Sequence, residues 1–169
     1  MGRVMTLEQR VQRLEDDRAI RDLKARYLRA CDSQDAATVS DCLLPDARID
    51  FEGFPSFDNR DDFVAVYRQF GCVPGVHDIH HAANGVVTFE SGIRATAQWS
   101  LLFHNVNLAQ RTLTQFGVEY DDVYVTRDGR WWISETRSRR KSCVIERVDA
   151  EGRATVIAMG EAPAVFGEA

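Results

Sequence analysis

No stretch of this sequence approaches the ~20 consecutive apolar residues that a helical membrane span requires, so no membrane association is expected. Residues 1–17, MGRVMTLEQRVQRLEDD, also lack the apolar core of a secretory signal, which makes a cytoplasmic protein the expectation. The four cysteines, Cys31, Cys42, Cys72 and Cys143, are scattered and form no CxxC pair. That argues against a disulfide framework and for small buried thiols in a reduced protein. Positive charge is in deficit, with 21 Lys and Arg against 26 Asp and Glu, so no nucleic-acid partner is expected. Internal repeats and low-complexity tracts are missing as well.

What is present suits one domain. A chain of 169 residues, 44% of them apolar, buries roughly 70% of the surface its unfolded form exposes. Thr6 and Gln9 have the spacing of a capping box. After them Leu7, Val11, Leu14, Ile20, Leu23, Tyr27 and Cys31 recur at helical spacing, with the charges of EDDR and RDLKAR on the solvated side. This helix is predicted to stop near CDSQD, whose short polar side chains compete for backbone hydrogen bonds. A second helix, DAATVSDCLL, is predicted to end before Pro45, and ARIDF reads as a strand. Asn59 is placed to cap a third helix, RDDFVAVYRQF, which GCVPG ends.

From Ile79 the texture changes to four long strands: IHHAANGVVTFE, IRATAQWSLLFH, TLTQFGVEYDDVYVT and RWWISETRSRRKSCVIE. Helices followed by a run of strands imply an α+β fold with helices on one face of a curved antiparallel sheet. Residues 1–150 form the expected domain. Residues 151–169 are left as a tail that acts as a lid or an interface arm, or stays disordered.

All four histidines cluster in this second half: His77, His80, His81 and His104. With Asp78 they are the right types for zinc or iron. A strand, however, sends His80 and His81 to opposite faces, so no metal is expected. An imidazole facing an apolar cavity and held by a carboxylate makes a general base near neutral pH. Asp32, at the edge of the first helix's buried face beside Tyr27 and Cys31, is a candidate partner; capping of the helix end is the competing role for it.

The segments LEDDRAIRDLKARYLRACDSQD, LLPDARIDFEG, HHAANGVVTF and YVTRDGRWWISETR resemble, in that order, the SnoaL-like family of the nuclear transport factor 2-like superfamily. The resemblance implies a cone: a strongly curved sheet around a central pocket that N-terminal helices close. The site pattern is most similar to scytalone dehydratase and lindane dehydrochlorinase, which use an Asp–His pair for elimination without a cofactor. It implies Asp32 and His80 as that pair and His104 as a second pocket histidine. Cys31 and Phe51 stand where scytalone dehydratase has tyrosines, and Tyr27 stands where the dehydrochlorinase has a lysine. Neither exact activity therefore carries over, and Tyr27 is left as a hydrogen-bond donor to substrate or a core residue.

The expected function is a cofactor-independent lyase or isomerase on a small, hydrophobic, cyclic or aromatic molecule, working as a homo-oligomer, trimer or dimer. Phe51, Phe54, Trp99, Phe116 and Tyr120 are the pocket candidates, and Arg137, within TRSRRK, is the arginine placed to meet an anionic group. Register errors of one residue would reverse each of these assignments. The alternatives are a non-catalytic small subunit of an aromatic-ring-hydroxylating dioxygenase and a small-molecule-binding protein. A hydrolase activating water on an epoxide fits the Asp–His pattern less well.

Overall fold

The computed structural model describes residues 5–160. Helix α1 (Leu7–Asp32) opens with Thr6 Oγ1 accepting from the Gln9 backbone N–H while the Gln9 side chain accepts from Thr6, the capping box expected from the sequence. Only its second half packs: Ile20, Leu23, Tyr27, Leu28 and Cys31 are buried, whereas Leu7, Val11 and Leu14 are exposed. One charge of RDLKAR is not on the solvated side. Lys24 sits in the middle of the buried stripe, four residues after Ile20 and three before Tyr27, and it is 1% exposed. Helical spacing decided its direction and overrode its charge.

Asp35 caps α2 (Ala36–Cys42) by accepting from the Thr38 N–H. The chain passes directly into β1 (Leu43–Phe51), earlier than the expected start at Ala47. Pro45 is tolerated there because β1 lies at the sheet edge, where a missing N–H costs no ladder bond. Asn59 caps α3 (Arg60–Phe70), which matches its expected range, and Phe63 carries it onto Phe51 at 5.8 Å between ring centroids.

The strands are β2 (Val76–Phe89), β3 (Arg94–Asn107), β4 (Thr112–Arg127), β5 (Arg130–Val148) and β6 (Ala154–Gly160). Their order is β1-β5-β4-β3-β2, with β6 also on β5. β1 joins β5 in parallel, next to residues 133–138, and β6 runs antiparallel to residues 143–148 of the same strand. Part of the expected tail is therefore strand; residues 161–169 lie outside the described residues.

The result is an α+β cone, with three helices against a six-stranded sheet that is curled but not closed. Register shifts at Ala83/Val86, Gly117/Val118 and Val123/Tyr124 supply bends, because a bulge adds a residue to one strand and increases its twist. At the first, Gly85 passes so close under Trp99 that a Cβ would overlap its ring. The concave face carries Ala95, Ala97, Trp99, Leu101 and Phe103 of β3 beside Tyr124, Asp122, Tyr120, Val118 and Phe116 of β4. Helix α1 lies across this face. It is fixed to β2 at two points, where Arg21 donates to the Gly85 carbonyl and where Asp32 meets His80.

Candidate active site

Asp32 is the last residue of α1, a poor place for a carboxylate on dipole grounds alone. His80 supplies the compensation. Its backbone N–H donates to Asp32 Oδ1 at 3.0 Å and reaches Oδ2 at 3.3 Å. That N–H is available because β2 is an edge strand and leaves alternate amides unpaired. The His80 ring then turns so that Nδ1 lies 2.6 Å from Oδ1. A carboxylate only accepts, so Nδ1 carries a proton, and in the neutral ring Nε2 then keeps the lone pair. The side chains are 15% (His80) and 24% (Asp32) exposed, enough for a ligand to reach them.

An aromatic row extends from this pair. The Phe103 ring sits 4.8 Å from the His80 ring, Phe116 stacks on Phe103 at 5.8 Å, and the Arg140 guanidinium lies 5.5 Å from the Phe116 centroid. Arg140 is on the concave face because it pairs with Val118, and the register skips Lys141 between Arg140 and Ser142. Its backbone N–H donates to Glu52 Oε2 at 2.7 Å. Gly53, with φ +85°, leaves the guanidinium its room, since a Cβ there would collide with it.

The remaining expected residues divide by face. Tyr27 is buried under α1, its phenol pushed well above its ordinary range first by burial and then by neighbouring Cys31. Cys31 itself is raised to about 12, mainly by burial. Phe51 and Tyr120 pack edge to face at 5.7 Å, and Trp99 points inward beside Tyr120. Phe54 is exposed. His104 pairs with Ile79, whose side chain is exposed, and so lies on the convex face, opposite to Phe103 and His80. Arg137 also faces outward, 3.8 Å from Glu135 and 53% exposed. The arginine that reaches the interior is Arg140, not Arg137: β5 turns Trp131 and Ile133 inward, and a bulge at Ser134, opposite Val123 and Tyr124, moves the inward set to Thr136, Ser138 and Arg140.

A second group went unforeseen. Lys24 Nζ lies 2.8 Å from Asp122 Oδ2 and 3.8 Å from the Tyr120 ring centroid, and Tyr124 donates to the same Oδ2 at 2.8 Å. The signal for Lys24 was its place in the apolar stripe. Asp122 is simply the inward residue of the pair Asp121-Asp122, and alternation from Tyr120 identifies it.

Among the described residues, no three His, Cys, Asp or Glu side chains converge as metal ligands. No helix among the described residues is long and apolar enough to cross a membrane. Two open surface grooves, one along Asp22, Arg26, Arg29 and Asp35 and one between Asp16 and Arg130, are lined by neither Asp32 nor His80.

Solved structures share this architecture. LinA matches with a TM-score of 0.73 at 19% identity over 90% of this chain and 97% of its own. A candidate scytalone dehydratase from Novosphingobium aromaticivorans matches at 0.73 and 17%, over 93% and 98%. The hexachlorocyclohexane dehydrochlorinase LinA-type3 from Novosphingobium barchaimii matches at 0.70 and 19%, over 90% and 98%. At such identities the likeness establishes the fold. The family profile described as the SnoaL-like domain covers residues 12–137, and the chain belongs to that family.

Proposed function

We propose that the chain is a cofactor-independent lyase or isomerase for a small hydrophobic cyclic molecule, with His80 as general base. The observation that carries this reading is the 2.6 Å contact between His80 Nδ1 and Asp32, which leaves Nε2 as the acceptor beside an aromatic wall. Nε2 removes a proton from a carbon made acidic by a neighbouring carbonyl, and Asp32 stabilises the imidazolium that forms. In an elimination the C–H electron pair becomes the new double bond and the leaving group departs with its own pair. The imidazolium can return its proton to a departing hydroxyl. In an isomerisation it returns the proton to another carbon.

Arg140, at the far end of the Phe103–Phe116 row, is placed to receive the developing negative charge or the leaving group. The enzymes named in the comparisons, a dehydrochlorinase and a candidate scytalone dehydratase, perform or are named for eliminations, which supports this class without fixing a substrate. Exposed Ile79, Val86 and Leu102 on the outer side of β2 and β3 favour a partner there, a second copy of the chain or a larger subunit.

The reaction class is tested by screening hydroxylated and halogenated cyclic ketones for elimination. His80→Ala is expected to keep the fold and lose at least 10²-fold in rate, in the range assigned to a positioned base, ~10²–10⁴-fold. His81→Ala is expected to cost far less. Equal losses in the two variants would remove His80 from the mechanism.

A further inference from the structure

On the scale of a single helix, unlike that of the domain, the sequence does repeat. Residues 3–9, RVMTLEQ, and 10–16, RVQRLED, share the pattern Arg-Val-x-x-Leu-Glu with a period of seven. That is a heptad with Arg at g, Val at a, Leu at d and Glu at e. Residues 1–4 lie outside the described residues, and α1 begins at Leu7. The helix therefore carries Leu7, Glu8, Arg10, Val11, Leu14 and Glu15 of this pattern.

None of these apolar residues serves the cone. Leu7, Val11 and Leu14 are 72%, 45% and 71% exposed, and the buried stripe of the same helix begins at Ile20. Six residues separate Leu14 from Ile20, about 240° of rotation, so the second stripe does not continue the first. Contacts with the sheet give the direction. The Arg13 guanidinium lies 4.1 Å from the Phe89 ring centroid, and Trp131 Nε1 donates to Asp16 Oδ1 at 2.9 Å. Arg13 and Asp16 stand about 200° and 140° round the helix from Val11. A helix start secured by its own capping box thus holds an apolar seam toward water, on the side away from the sheet.

We propose that this seam pairs with the same seam of a second copy, the two α1 helices lying parallel and in register with one cone on each outer side. The charges select the orientation. In a parallel pair the g flank of one helix meets the e flank of the other, so Arg10 of each copy faces Glu15 of the other. An antiparallel pair sets e against e, which brings Glu8 and Glu15 against the same two carboxylates. Valine at a with leucine at d favours two strands over three. The seam stops after Leu14 because the next a and d positions are charged and engaged: Asp22 holds Arg18 at 2.7 Å, and Arg21 binds Asp17 and the Gly85 carbonyl. Three apolar layers make a contact below the ~1,200 Å² of a standard interface, so the pairing is weak and concentration-dependent. It is separate from the outer side of β2 and β3 and does not depend on the role of His80.

Sedimentation from about 10 µM to about 1 mM tests it. At the top of this range the native protein is expected to reach twice the mass of Leu14→Glu, a substitution at an exposed position whose fold circular dichroism checks. Glu15→Arg is expected to weaken the association about tenfold, because two pairs change from attraction to repulsion. Adding Arg10→Glu to it is expected to restore the native affinity. In parallel register Leu14→Cys brings its thiol against its own copy, so it is expected to form a residue-14 disulfide at least tenfold faster than Gln12→Cys. Equal masses for the native protein and Leu14→Glu overturn the proposal. An association that Glu15→Arg leaves unchanged, a charge exchange that restores nothing, or equal cross-linking at residues 12 and 14 overturns it as well.

Discussion

Removing the Lys24 charge alone should be the most damaging single change in the molecule. In Lys24→Met the Asp122 carboxylate stays buried with the Tyr124 hydroxyl as its one remaining donor at 2.8 Å. Breaking a buried pair on one side costs about 3–5 kcal/mol. Exposures of 1% and 0% leave no solvent screening to reduce that figure. In a chain of this size each kcal/mol lowers the melting temperature by roughly 2–4 °C, so the variant is expected to melt about 6–20 °C below the native protein.

The double variant K24M/D122L removes both charges. Replacing a buried pair by apolar residues is neutral or stabilising by about 1–4 kcal/mol, and the orphaned Tyr124 hydroxyl takes back about 1–3 kcal/mol. The two nearly cancel, so the double variant is expected to melt near the native protein and well above K24M. Circular dichroism melts with urea titrations at neutral pH measure both. A double variant less stable than K24M, or a single variant costing under about 1 kcal/mol, refutes the reasoning, since the pair would then not be desolvated as its burial indicates.

Arg140→Met is expected to lower kcat/KM at least tenfold for any substrate found in the elimination screen, whereas Arg137→Met, on the outer face, is expected to cost under threefold; steady-state kinetics separate them. Alkaline pH should destabilise the fold. Tyr27, Tyr120 and Tyr124 are pushed above their ordinary 10.0, first by burial, and Cys31 rises from 9.0 to about 12 for the same reason. Raised values favour the protonated groups in the folded state. Their contribution is complete below pH 9 and is lost as the pH climbs from there through the raised values. The melting temperature is expected to hold level up to pH 9 and fall above it, with a shallower fall in Tyr27→Phe; a level profile to pH 11 would contradict this.

Local chemistry was the legible part of the sequence. Thr6 and Gln9, and the Asn59 cap of α3, act within three residues, so their geometry follows from spacing. The curled α+β architecture followed from element order and from the family resemblance. Asp32 and His80 were paired only by that resemblance: no spacing rule connects residues 48 apart, and the contact depends on how α1 crosses the edge of β2.

Side-chain direction was harder. Arg140 turns inward because a bulge at Ser134, opposite Val123 and Tyr124, shifts the alternation of β5 by one residue, and a bulge there leaves no mark in the arginine run itself. Lys24 was read by its charge although its spacing placed it inside. His104 was assigned by analogy, but strand parity sends it to the outer face. The strand at 154–160 was missed because ATVIAMG is short and its apolar residues are mostly exposed along β5.

The central claim is that Asp32 holds His80 with its proton on Nδ1, freeing Nε2 to act as base. The most direct test is the tautomer of His80, read from nitrogen chemical shifts in a long-range ¹H–¹⁵N spectrum and assigned with His80→Ala. The account requires the neutral imidazole of His80 to be the Nδ1–H form in the native protein and to lose that bias in Asp32→Asn. An Nε2–H tautomer, or one that Asp32→Asn leaves unchanged, would contradict it.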